Sequence, residues 1–312
     1  MVMKKLLVLF LIGVMLGCSG CRFSESVSSS LEQSDFSSVE EPQTSMAEES
    51  VLESSSPSFS EEEKADLTKV NRFRSDYDYG TCRKLSGEVS VVLFYMDDFE
   101  SEWTRAEIER FTKNEVKPGF AFLEKEAQKY GVELNLTIKE THSSLFYDDE
   151  VVVSTKLTGL ATIDVLDQAA KALNYGSENQ MIKRLKNRFK SEEVVCLTIF
   201  DKQGTAYAIN PKRGMDFSTE EHCIIFARDL GSSGNDPLGC QSSVIAHEML
   251  HLFGAEDYYT TAQRKALAQK KYPGDIMISA NYYISTNNIG DATAFYVGWT
   301  NEVPSVLYHE NW

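Results

Sequence analysis

His247, Glu248 and His251 stand in the order H-E-x-x-H, and Gly254 and Asp257 extend this to H-E-x-x-H-x-x-G-x-x-D. On a helix, side chains four residues apart lie one turn above each other, so His247 and His251 can offer two imidazole nitrogens to one metal ion. Glu248 directly follows the first histidine. Its carboxylate then lies beside the metal, where it can take a proton from an attacking water and pass it to a leaving amine. Gly254 can adopt the left-handed conformation that stops a helix, turning the chain back so that Asp257 reaches the same metal as third ligand. Three protein ligands leave one position open, the coordination of a catalytic zinc site. A competing assignment leaves Asp257 solvated and completes the site with Glu256, His142, His222 or His309. Glu248 argues for catalysis in either case, because a structural zinc site has no need of it.

The arrangement resembles the metzincin clan of zinc endopeptidases, whose usual pattern ends in a third histidine and is followed by a tight turn containing methionine. Asp257 in the third position looks like the aspartate variant of the snapalysin family and of immune inhibitor A-like proteases, and zinc accepts carboxylate oxygen. Tyr272-Pro273-Gly274-Asp275-Ile276-Met277 is a turn signal leading into a methionine, so Met277 corresponds to the Met-turn residue. The likeness is specific over Ser242 to Met277 and weaker elsewhere. It implies an α+β (mixed α/β) fold: a twisted, mostly parallel sheet with an antiparallel edge strand, an active-site helix and a small C-terminal helical subdomain. It also implies Zn2+ as cofactor, Glu248 as general base and a protein or peptide substrate. In the clan, the edge strand above the active-site helix binds substrate as an added strand. Thr205, Ala206, Tyr207, Ala208 and Ile209 form the short strand that fits this role. Some members place a tyrosine near the metal to stabilise the oxyanion. Tyr282 and Tyr283 follow Met277 at more than the usual spacing, with Ser279 at the nearer position.

The elements that must position these residues follow from hydrophobic periodicity. Glu88 to Met96 reads as a buried strand and Thr104 to Tyr130 as a helix that Pro118-Gly119 interrupts or kinks. Val132 to Lys139 alternates apolar and polar residues as a second strand. Ile163 to Asn174 and Asn179 to Phe189 read as helices, the second with a solvated basic face. Val194 to Phe200, Thr205 to Ile209 and Cys223 to Ala227 read as strands, and the Gly204 turn suggests that the first two form a hairpin. Ser243, or Ser242 beside it, is the expected N-cap of the zinc helix. Ile245, Met249 and Leu252 form its packing face. Thr260 to Lys271 is helix-compatible, and a last helix is expected from about Asn288 to Trp299, with Phe295, Tyr296 and Trp299 in the core.

Before this region the chain has a different character. Lys4 and Lys5 precede an apolar run from Leu6 to Leu16, a secretory signal too short to span a membrane. Met15-Leu16-Gly17-Cys18 looks like a bacterial lipobox that would acylate Cys18, with Cys21 as second candidate, and this anchors the protein to the outer face of the cytoplasmic membrane. Residues 1–17 are thus a lipoprotein signal, 18–63 a disordered Ser/Glu-rich tether and 64–312 a zinc metalloprotease domain. The tether from Arg22 to Glu63 carries a net charge of −10 of the total −16, so much of the acidity belongs to the stalk. An acidic chain without basic patches excludes nucleic acid as partner. A monomer is expected. Cys82, Cys196, Cys223 and Cys240 could form two disulfides outside the cytoplasm, in three possible pairings. Two other readings stand beside the endopeptidase: a surface-binding or adhesion lipoprotein without turnover, and a zinc amidase acting on cell-wall peptide.

Overall fold

The computed structural model describes residues 73–74, 80–98, 100–139, 151–154, 164–210, 220–229, 240–310 and 312. The signal, the tether, Cys18, Cys21 and His142 lie outside the described residues. No described helix is long and apolar enough to cross a membrane.

The scaffold is a mixed α/β arrangement around one sheet. Strand β1 (Gly87–Asp97) lies beside β2 (Leu134–Ile138), β3 (Val151–Ser154) and β4 (Glu193–Gly204), and the order continues through β6 (His222–Asp229) to β5 (Tyr207–Ile209) at the edge. Every pairing is parallel except β5 with β6. The long apolar runs of β1, β4 and β6 are those of strands covered on both faces. Val89, Val91, Leu93 and Tyr95 of β1 join Val195, Leu197, Ile199, Cys223 and Ile225 in a core on one face. Val92, Phe94, Met96, Cys196, Phe200 and Ile224 face the other way, onto α3 (Val165–Ala172) and α4 (Glu178–Phe189). The first core is closed by α2 (Lys117–Lys129), α5 (Ser242–Leu252) and α7 (Asp291–Tyr296), with Ala268 of α6 (Ala262–Lys271) added at its margin. The C-terminal helices therefore share the core that supports α5, the helix that carries His247, Glu248 and His251.

The expected break at Pro118 has a defined form. Helix α1 (Arg105–Phe111), capped by a Thr104–Glu107 capping box, passes through a π-turn over Thr112–Val116 before α2 begins. Proline lacks the N–H that would bond the carbonyl four residues earlier. That carbonyl, Asn114 O, accepts instead from Ser242 Oγ at 3.3 Å. The same hydroxyl lies 3.0 Å from Glu115 Oε2, so its single proton is shared between these two acceptors and does not serve its own helix. This corrects the expected cap: Gln241 occupies the N-cap of α5 and no side chain caps it. Ser243, the first choice, is buried with its hydroxyl on Gln241 Oε1 at 3.5 Å.

A second correction concerns the hairpin. Strand β5 is antiparallel and at the edge, but it pairs with β6 rather than β4. β4 continues to Gly204 and keeps pairing with β6 as far as Asp229. The chain then crosses over β6, and Gly204 passes so close to the Phe226 ring that a Cβ would come within 2.4 Å of it. Only glycine permits that crossing. The last helix is also shorter than expected, ending at Tyr296, although Phe295, Tyr296 and Trp299 are all buried. The four cysteines that could have formed two disulfides, Cys82, Cys196, Cys223 and Cys240, are buried free thiols. Cys196 and Cys223 sit in cores on opposite faces of the sheet, so adjacent strands do not bring their sulfurs together.

The chain entering the domain is tied down by a buried acid. One Glu221 oxygen accepts from Thr81 N at 2.5 Å, Thr81 Oγ1 at 3.0 Å and Cys82 N at 2.7 Å. Burial outweighs these donors and pushes the carboxyl up from 4.5 to about 7. The folded state then holds its proton more tightly than the unfolded state, so the contribution of Glu221 to stability is greatest at low pH and falls as pH rises from 4.5 to about 7. The expected loss is about 3 kcal/mol. Urea unfolding at pH 4.5 and 7.5 should show a drop that Glu221→Gln flattens by about that amount; equal pH dependence in the two proteins would contradict the assignment.

Candidate metal centre

Helix α5 carries three chemical groups and ends so as to deliver the fourth. Gly254, at φ +97°, stops it in the left-handed conformation. Gly254 N bonds His251 O at 3.0 Å and Ala255 N bonds Leu250 O at 3.1 Å, the paired hydrogen bonds of a Schellman motif. The reversed chain does two things. It turns Ala255 O onto His251 Nδ1 at 2.7 Å, and it brings Asp257 back beside both histidines.

The turn at Asp275–Met277 supports the other histidine. Ile276 O lies 3.0 Å from His247 Nδ1. Asp275 holds this turn, accepting from Met277 N at 2.8 Å, Gly290 N at 2.7 Å and Thr293 Oγ1 at 2.9 Å. Burial pushes its carboxyl up to about 6, against those donors. Met277 is fully buried, and its carbonyl accepts from Tyr258 N at 3.0 Å. The methionine thus belongs to the floor under His247. Asp275 was legible only as a turn residue, yet its three acceptor contacts make it the anchor of that floor.

With each Nδ1 donating to a carbonyl, each Nε2 is left with its lone pair. The two Nε2 atoms lie 3.2 Å apart, and Asp257 Oδ1 is 3.2 Å from that of His247 and 3.3 Å from that of His251. Oδ1 is buried and receives no hydrogen bond. Three acceptors converging at these distances repel one another unless a cation sits among them, so His247, His251 and Asp257 form a group that could bind a metal. Taken alone, the same triangle draws a proton. Burial pushes the Asp257 carboxyl up, but the two imidazoles outweigh it and hold it well below the usual carboxylate range.

Glu248 is buried beside the triangle. Burial raises its carboxyl, opposed by the imidazoles of His247 and His251 and by a hydrogen bond from the Ala208 backbone N–H. That bond joins the edge strand directly to the general-base candidate. A cleft of about 430 Å³ opens over Glu248, His251 and Asp257, with Tyr207, Asn210 and Arg264 on its walls. A smaller pocket of about 180 Å³ adjoins it, lined by Thr205, Phe226, Val244 and Ala280, and shares Ala206, Glu248 and Tyr259 with the cleft. Thr205, Ala206, Tyr207 and Ala208 therefore face these pockets. Ile209 does not, and packs instead toward the core of α3 and α4.

The competing ligands go elsewhere. Glu256 pairs with Arg264 Nη2 at 2.8 Å, and that guanidinium lies over the Tyr258 and Trp312 rings. His222 is buried in β6 with Nδ1 on Glu220 O, and burial lowers it to about 4. His309 lies in the exposed C-terminal segment. Tyr282 and Tyr283 are 58% and 69% exposed and line neither pocket, which removes them as oxyanion candidates. Tyr259 is at the site in their place: it lines both pockets, and its ring lies 6.5 Å from that of His247.

No protein-family model matches the chain, and no curated protein matches it. Among solved structures, wild-type OgpA from Akkermansia muciniphila is similar at a TM-score of 0.30 and 15% identity, over 69% of this chain and 60% of that one. Catalytically inactive OgpA in complex with an O-glycopeptide substrate, glycodrosocin, is similar at 0.30 and 13%, over 69% and 59%. The chain spans about 60% of the length of those structures. Likeness of this depth leaves the assignment to the residues themselves.

Proposed function

We propose that the protein is a zinc-dependent endopeptidase that hydrolyses peptide bonds of extracellular proteins or peptides, held at the outer face of the bacterial cytoplasmic membrane through Cys18. The observation that carries this reading is the triangle of His247 Nε2, His251 Nε2 and Asp257 Oδ1, with sides of 3.2, 3.2 and 3.3 Å, next to a buried Glu248. Ligands about 2.0–2.1 Å from a tetrahedral zinc are themselves spaced about 3.3–3.4 Å. The triangle has the size of one face of that tetrahedron. Calcium, with six to eight oxygen ligands at about 2.3–2.6 Å, suits it poorly.

Zinc held there supplies a Lewis acid for the scissile carbonyl and makes a neighbouring water more acidic. The chain's own residues do the rest. Glu248 takes the proton of the attacking water and delivers it to the leaving amine. Asp257 lowers the positive charge of the site relative to a third imidazole, which increases the demand on Glu248 as base. Substrate in extended form adds along the outer edge of β5, with its side chains directed alternately into and away from the two pockets. A mixed peptide library incubated with the protein should yield internal cuts that a zinc chelator abolishes. Cuts confined to termini or cross-links would replace this reading with a zinc amidase of cell-wall peptide. No cuts by a zinc-loaded protein would favour a binding lipoprotein.

A further inference from the structure

Arg264 stands alone on the wall of the cleft. No other lysine or arginine is among the described residues that line it, whereas Glu248, Glu256 and Asp257 are. Helix α6 sets its position: Thr261 caps the helix by accepting from Arg264 N at 3.0 Å, which fixes Arg264 in the first turn. The guanidinium is then clamped. Its Cζ lies 5.4 Å from the centre of the Tyr258 ring and 5.1 Å from that of Trp312, and the fully buried Tyr258 is itself pinned through a 2.8 Å hydrogen bond with Thr293 Oγ1. Only 12% of the arginine side chain is exposed.

A guanidinium carries its N–H donors in one planar fork, which matches a carboxylate that takes two of them at once. Glu256 Oε2 takes one, from Nη2 at 2.8 Å, while Nε is buried with no acceptor. Among the described residues Glu256 is the one acceptor for this group, so most of the fork is unfilled on a cation that water reaches poorly. Such a group gains from an anion that completes it. We infer that Arg264 is a specificity-determining residue, which takes the carboxylate of an acidic side chain in an extended peptide lying along β5. The inference rests on the peptidase reading above and names the class of substrate it favours. Arg264, Asn210 and Ala255 line the large cleft only, Val244, Phe226 and Ala280 the small pocket only, and Glu248 lies in both. The acidic residue therefore belongs on the far side of Glu248 from the small pocket. The chain carries a net charge of −16, so long-range charge does not favour an acidic peptide and the preference comes from this one contact.

The test uses short alanine and threonine peptides with blocked ends, carrying Glu, Gln or Lys at each position in turn. Binding to full-length Glu248→Gln in the presence of zinc would be followed by fluorescence anisotropy, and cleavage by wild type as kcat/KM. At one position Glu should bind about 10- to 100-fold more tightly than Gln. In Arg264→Gln, built on the same background, the Glu preference should vanish, and in Arg264→Glu the Lys peptide should bind best. Glu256→Gln should keep the preference, since it removes only the competing carboxylate. Each comparison is made between peptides on one protein, so a lower folded fraction in a variant does not imitate the effect. No position that prefers Glu, or a preference that survives Arg264→Gln, would overturn the inference. A preference seen only in peptides with a free C-terminal carboxylate would overturn it too, because the group bound would be the chain end. Discrimination in binding without cleavage by zinc-loaded wild type would uphold the carboxylate site and remove the peptidase reading, and cleavage without discrimination would do the reverse.

Discussion

Glu248→Gln is expected to lower kcat by about 100-fold to 10,000-fold while leaving zinc in place. The substitution keeps the shape of a residue that is only 7% exposed, and an amide oxygen can still accept from the Ala208 N–H. It removes only the ability to hold a proton between the attacking water and the leaving amine. Glu248 is outside the triangle, so metal content and Tm should match wild type, and the fall should lie in kcat rather than KM. Alanine at this position is the harder experiment to read, because it also empties buried space next to His247 and β5. Activity within about tenfold of wild type in Glu248→Gln would mean that another group acts as the base.

Asp257→Ala should lose zinc at concentrations that saturate the wild type, with Kd weakened by more than about 100-fold, beyond what partners outside the ligand set contribute. Glu256→Ala should keep it. The two acids are neighbours, but Asp257 closes the triangle with both Nε2 atoms, whereas Glu256 is held by Arg264. The zinc-dependent rise in Tm gives an independent readout, since a ligand stabilises the fold according to its concentration over Kd. That rise should persist in Glu256→Ala and vanish in Asp257→Ala. The opposite pattern would make Glu256 the third ligand.

What could be read from the sequence divides along physical lines. The spacing of His247 and His251 sets their geometry because a helix fixes neighbours four apart, and Gly254 marks the end of that helix because few other residues tolerate its φ of +97°. The apolar runs of β1, β4 and β6 declare buried strands by composition alone. Features decided by distant parts of the chain were hidden. Ser242 looks like a cap, but its hydroxyl serves a carbonyl that Pro118 leaves unbonded. Strand β5 is adjacent in sequence to β4, but the crossing at Gly204 gives it β6 as partner. Tyr258 and Tyr259 cannot be told apart locally, since Thr293 and Trp312 decide which one turns inward. The nearness of Tyr259 to Asp257, two positions beyond the last motif residue, was the one signal that could have found it. Four cysteines downstream of a signal-like apolar run suggest disulfides, yet their burial in cores on both faces of the sheet makes them small apolar side chains here.

The most direct test of a metal-dependent peptidase is reconstitution. The protein would be stripped with a chelator, dialysed free of it, and titrated with zinc while peptide cleavage and bound metal are measured on the same samples. Cleavage should be absent in the stripped protein and return in proportion to zinc, reaching its plateau at one ion per chain. Undiminished cleavage by the stripped protein would contradict the account at its centre.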